Sequence, residues 1–269
     1  MELKRISLKE YRLSSMWKTL RISILLYIAL VIGVTSWSTR ARHAEWKAPL
    51  WVTVYPINGD GSEAADNYIR TLKQTDFHPI ESYFIKQADI HSLKVERPVE
   101  LKLSEPVETA PPEPPNAATG LSVIFWSLHL RWYSWWENNF KGPSDIKVFV
   151  LYYDPASTPH LQHSLGLRKG FLGVVHAFAD DSYRDQNHVV IAHEMMHTLG
   201  ASDQYDLTTN YPLFPEGFAD PYREPNLPQT KATLMAGRIP IDLETSKMPS
   251  SLKQTIISPK AAFEIGWKY

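Results

Sequence analysis

Residues 187–203 of the 269-residue chain read NHVVIAHEMMHTLGASD. An apolar lead-in (Val189, Val190, Ile191, Ala192) with Asp185 or Asn187 available as N-cap predicts a helix that carries the rest of the segment. On that helix His193 and His197 stand one turn apart on one face, so both imidazoles reach a single metal ion. Glu194 lies about 100° round from His193, which sets its carboxylate beside the metal, ready to take a proton from a bound water. Gly200 comes three residues after the second histidine, where a helix can stop in the left-handed conformation open to glycine. The chain then turns back toward the metal, and Asp203 arrives as third ligand.

Elimination supports a carboxylate there. The chain has no cysteine, so disulfides, thiolate nucleophiles and every Cys-ligated metal site are excluded. None of its ten histidines follows His197. A third ligand downstream is therefore Asp or Glu. Asp203 is first by spacing, ahead of Asp206, Glu216 and Asp220. Glu216 has the separation of a ligand from a second helix, but Pro212, Pro215 and Gly217 oppose a helix there. His176, upstream of the motif, reads as a strand histidine rather than a ligand. The acidic groups Asp203, Asp206, Asp220 and Glu224 raise calcium as a secondary expectation, although their spacing matches no known calcium loop.

Outward from the motif, FLGVVHAFAD (171–180) reads as a strand and IKVFVLYY (146–153) as a buried one, near-continuously apolar. LWVTVYPI (50–57) and VELKL (99–103) alternate as strands, the first ended by Asn58-Gly59-Asp60-Gly61. Helical stretches are expected near 63–74 and 79–93. EPVETAPPEPPN (105–116) holds five prolines and reads as an exposed, extended connection. In 121–140 the spacing predicts a helix whose face Leu121, Phe125, Leu128, Trp132, Trp135 and Asn139 packs on a sheet; membrane-surface contact is the competing reading. Residues 204–240 carry six prolines and little periodicity, as the lower rim of a cleft would. The order predicts one layered α/β or α+β domain over 45–269.

The charge is uneven. Residues 1–21 carry six basic and two acidic side chains, although the whole chain has net charge −1. That balance excludes the basic excess of a nucleic-acid binder. ISILLYIALVIGVTSWST (22–39) is uncharged and flanked by Trp17 and Trp37. As a helix it spans roughly 27 Å against a hydrocarbon core of about 30 Å. Arg42 and His43 spoil the best cleavage site, ending at Ala44, so an uncleaved signal anchor is expected. The positive-inside bias puts 1–21 in the cytoplasm and 45–269 across a membrane.

HEMMHTLGASD resembles the zinc-binding segment of the metzincin metallopeptidases, HExxHxxGxxH/D, in its aspartate-ending variant. The family's methionine turn has a counterpart in Leu234-Met235-Ala236-Gly237. The resemblance spans roughly 171–240. It implies a twisted sheet on the active-site helix, with 171–180 as the edge strand that pairs with an extended peptide substrate. It further implies one catalytic Zn2+ on His193, His197 and Asp203, with Glu194 as general base. No tyrosine follows Met235 where some metzincins carry one, and 45–170 shows no resemblance. Tyr205, Tyr222 and Arg238 are candidates to assist at the oxyanion. Two alternatives stay open: a zinc hydrolase of non-peptide amides or esters, and a membrane-tethered metal-containing binding module without turnover.

Overall fold

The computed structural model describes residues 16–27, 30, 46–115, 119–168 and 170–267. The chain divides into two units, Met1–Arg42 and His43–Tyr269. In the first, residues 16–27 are helical. Most of the run 22–39 read as a membrane anchor lies outside the described residues, and among those described no helix is long and apolar enough to cross a membrane.

The second unit is built on a five-stranded sheet in the order β2-β1-β3-β5-β4. Its strands are β1 (Leu50–Asn58), β2 (Val99–Leu103), β3 (Ile146–Tyr153), β4 (Leu165–Leu167) and β5 (Leu172–Phe178). The first three and β5 run parallel, and β4 closes one edge antiparallel to β5. Both faces of the central strands are covered, which explains why they read as continuous apolar runs rather than clean alternations. Val52, Val54, Val148, Val150, Val175 and Ala177 face α1 (Glu63–Thr71), α2 (His78–Ile90) and α4 (Arg184–Leu199). Tyr55, Ile57, Phe149, Leu151 and Val174 face α3 (Gly120–Trp136). The unit is thus a mixed α/β layered structure. A short C-terminal helix, α5 (Pro259–Glu264), is capped by Ser258.

Three expectations are corrected. The strand 171–180 is not the edge: β5 is bonded to β3 on one side and β4 on the other, and the three residues Leu165–Leu167 form the edge. Neither Asp185 nor Asn187 caps α4. A 3-10 turn at Asp181–Tyr183, capped by Asp180, precedes the helix, and Asn187 instead clamps it to β5 through both Phe178 N and Phe178 O. Finally, the α3 face expected to pack on the sheet points outward. Leu121 is 70% exposed, Phe125 69% and Trp135 70%, and the helix ends before Asn139. The cause is a second apolar stripe, Trp126, Leu130 and Tyr133, that carries polar handles. Trp126 Nε1 donates to Pro112 O (2.8 Å) and Tyr133 Oη to Thr109 O (2.6 Å), so the proline-rich connection selects which stripe is buried.

Candidate metal centre

α4 lies against β5 and β4 and carries the motif at its C-terminal end. At Gly200 φ is +112°, the left-handed stop that glycine permits, and Ala201 N bonds back to Met196 O (3.0 Å). The turned chain is then fixed by α5. Ser202 donates to Glu264 from its backbone N (2.8 Å) and its Oγ (2.6 Å). Next, Gln204 is 1% exposed; its N donates to Met235 O, and its side chain joins Ser258 Oγ (2.8 Å) and Thr233 Oγ1 (3.1 Å). Asp203 is held between these two anchors.

The result is a tight convergence. His193 Nε2 and His197 Nε2 are 3.0 Å apart, and Asp203 Oδ1 is 3.3 Å from the first and 3.1 Å from the second. Each Nδ1 faces a backbone carbonyl, His193 to Leu234 O (2.8 Å) and His197 to Ala201 O (2.9 Å). A carbonyl only accepts, so each neutral imidazole keeps its proton on Nδ1 and turns an Nε2 lone pair inward. With both rings neutral, two lone pairs and a carboxylate oxygen meet with no donor among them, an arrangement that calls for a cation, either a ring proton or a metal ion. Tetrahedral zinc with bonds of about 2.0–2.1 Å would hold its ligands roughly 3.3 Å apart. The donor set therefore fits such an ion. These are the only three His, Asp or Glu residues among the described ones whose ligand atoms gather this closely.

The electrostatics agree. Burial alone would raise the Asp203 carboxyl, but hydrogen bonds from His193 and His197 and their positive charge, when a proton rather than a metal ion sits among the three groups, hold it well below the usual carboxylate range. Burial likewise opposes charge on His197, yet Asp203 and Glu194 outweigh it and raise its pKa. Positive charge, whether a proton on His197 or a metal ion, is thus favoured among these groups. Glu194 is 5% exposed and its Oε2 has no hydrogen-bond partner. Burial pushes its pKa up, assisted by Asp203 and opposed by His193, His197 and His163. A carboxylate poised upward and unpartnered suits a proton acceptor.

A cleft of about 750 Å³ opens over His193, His197, Asp203 and Glu194. Tyr205 and Arg238 line it; Tyr222, 82% exposed, does not. Burial, then the charges of Asp203 and Glu194, push the Tyr205 hydroxyl up to about 12, so it stays a neutral donor. A side pocket of about 220 Å³ lies beside His193, lined by Val189, Val190, Ala236 and Met248 and by the polar side chains of Arg238, His163, Tyr205 and Asn210. The turn Leu234–Gly237 passes beneath, with Met235 1% exposed.

The remaining candidates stand apart from this group. Asp206 is exposed and turned to its own loop, accepting from Thr208 N, Thr209 N and Thr209 Oγ1. Glu216 and Asp220 are exposed, and with Asp206 and Glu224 they form no metal-ligating group among the described residues. His176 lines the cleft but bonds and stacks on Tyr153. Sequence reasoning missed Gly166 on β4, which packs directly over α4, and His160 and His163 on the cleft wall. It also missed Gln204 and Glu264. Only the glycine left a signal, a small residue inside an apolar triplet. No protein-family model matches the chain, and no curated protein matches it.

Proposed function

We propose that the chain is a zinc-dependent endopeptidase of metzincin type, with His193, His197 and Asp203 as ligands and Glu194 as general base. One observation carries this reading. Two imidazole Nε2 atoms and one carboxylate oxygen converge to 3.0–3.3 Å, and a buried glutamate whose Oε2 is unpartnered stands beside them. A bound zinc ion supplies Lewis acidity, lowering the pKa of a water toward about 7 and polarising a carbonyl.

The chain's own groups do the rest. Glu194 Oε2 takes the proton from the attacking water and returns it to the leaving amine. Its raised pKa makes the carboxylate basic enough for the first step and acidic enough, once protonated, for the second. Tyr205 Oη, protonated across the working range, donates to the developing oxyanion. The edge strand β4, on the cleft wall, has an open side where an extended peptide can add as a further strand. In the same reading 1–21 is cytoplasmic, 22–39 is the membrane anchor and 45–269 works on the far side, on peptide or protein substrates.

The test is a pair of variants in the full-length chain. Glu194→Gln keeps one zinc per chain and loses peptide hydrolysis; His193→Ala loses both. A glutamine variant that cleaves peptides as fast as the parent removes Glu194 as the base.

A further inference from the structure

On the other side of α4 from the metal ligands lies a second cavity, of about 420 Å³, within the size range of small-molecule sites. His188, which lines it, precedes His193 by five residues and so points about 140° away round the helix. Its walls are apolar, formed by Ile90 of α2 together with Leu252 and Ile256.

Two buried polar atoms inside lack a well-formed hydrogen bond. Tyr83 is 7% exposed and His188 4%, and neither Tyr83 Oη nor His188 Nδ1 makes one. Thr255 Oγ1, which donates to Leu252 O (2.9 Å), is the nearest acceptor for Tyr83 Oη, without a well-formed bond between them. The acid nearest His188 Nδ1, Asp185, stands 3.8 Å away, beyond hydrogen-bond reach. Native structures rarely leave buried polar atoms unpaired, and a bound molecule is one way to satisfy them.

The rim supplies the charge. Lys86, Lys231 and Lys253 all border the cavity, and none makes an ion pair or hydrogen bond within the described residues. Asp185 is the single acid against these three cations. We propose that this cavity is a binding site for a small organic anion, with a carboxylate, sulfonate or phosphate head at the lysine rim and an apolar body against Ile90, Leu252 and Ile256. The Tyr83 hydroxyl and His188 Nδ1 meet polar atoms on the buried end of the ligand. This site is independent of the peptidase reading and needs no metal.

Photo-crosslinking of the full-length chain tests it. The probes are 4-benzoylbenzoate and its uncharged amide, 4-benzoylbenzamide, with adducts located by mass spectrometry. The anion labels the cavity wall saturably at Ile90, Leu252 or Ile256. Lys86→Gln, Lys231→Gln and Lys253→Gln together cut that labelling about tenfold or more, the scale of a few exposed charge contacts. They leave labelling by the amide unchanged. Ser82→Trp, at an exposed position on α2 that lines the same cavity, suppresses labelling by both probes. The inference is overturned if the anion shows no saturable labelling at the cavity, if its adducts fall only on the exposed apolar face of α3, or if the triple variant labels like the parent.

Discussion

Gly166→Ala puts one methyl group where the edge strand β4 meets α4. A β-carbon at Gly166 falls 2.4 Å from His197 Cβ, 2.5 Å from Glu194 O and 3.1 Å from Glu194 Oε2. Carbon atoms rest about 3.5–4.0 Å apart, so β4 and α4 must separate by about 1 Å. Overpacking of this kind costs about 1–3 kcal/mol, or a Tm lower by about 2–12 °C in a domain of this size. The displacement falls on the backbone of Glu194 and on His197 together, and a shift of about 1 Å at reacting groups lowers the rate on the order of a hundredfold. Zinc-loaded protein is assayed for kcat on a peptide substrate, for metal content and for Tm. Gly120→Ala is the matched control, because a β-carbon there meets no atom within 4 Å. A Gly166→Ala variant within about twofold of the parent in kcat and with an unchanged Tm refutes the packing of β4 over the site.

Glu194→Gln stabilises the metal-free protein at pH 7, on the order of 1–3 kcal/mol for a buried group relieved of its charge. Because burial raises the folded pKa of Glu194, the unfolded chain releases this proton first as pH rises. The destabilisation therefore sets in above the unfolded carboxylate value and is absent below it, so denaturant midpoints of parent and variant coincide at pH 3–4 and diverge toward pH 7; equal midpoints at pH 7 contradict the buried, unpartnered placement. Tyr205→Phe lowers kcat about 10²–10³-fold with little change in KM, as loss of an oxyanion donor does, and the pH–rate profile keeps its shape below pH 10, since Tyr205 titrates only near 12; an unchanged kcat assigns the hydroxyl a structural role. Arg238, with no ion pair or hydrogen bond of its own within the described residues, gives the side pocket a preference for acidic side chains. A peptide library shows that preference in the parent and its loss in Arg238→Gln; a parent that favours neutral apolar residues there contradicts it.

The site was more legible in the sequence than its surroundings. His193, Glu194, His197, Gly200 and Asp203 all belong to one helix and its stop, and helix periodicity plus a glycine's conformational freedom places them without tertiary information. β1, β2 and β3 were readable for a similar reason, since each is a run of five or more residues with its own apolar pattern. β4 was not: three residues do not establish a period, and it exists because β5 offers an open edge. α3 was placed as a helix but turned the wrong way, because it is apolar on nearly every side. Its orientation is decided by acceptors at Thr109 and Pro112, which lie 24 and 14 residues from the donors. Gln204 and Glu264 escaped notice for the same reason. Their work is done across long separations, Glu264 from 62 residues away, and nothing local marks either one.

X-ray absorption at the zinc edge, on full-length protein loaded with one equivalent of zinc, addresses the central claim most directly. The parent binds one ion in a shell of two imidazole nitrogens near 2.0 Å and oxygen ligands. Asp203→Ala loses one oxygen and most of the affinity, while Glu216→Ala leaves shell and affinity intact. A parent that retains no zinc, or whose spectrum lacks imidazole scattering, contradicts the account.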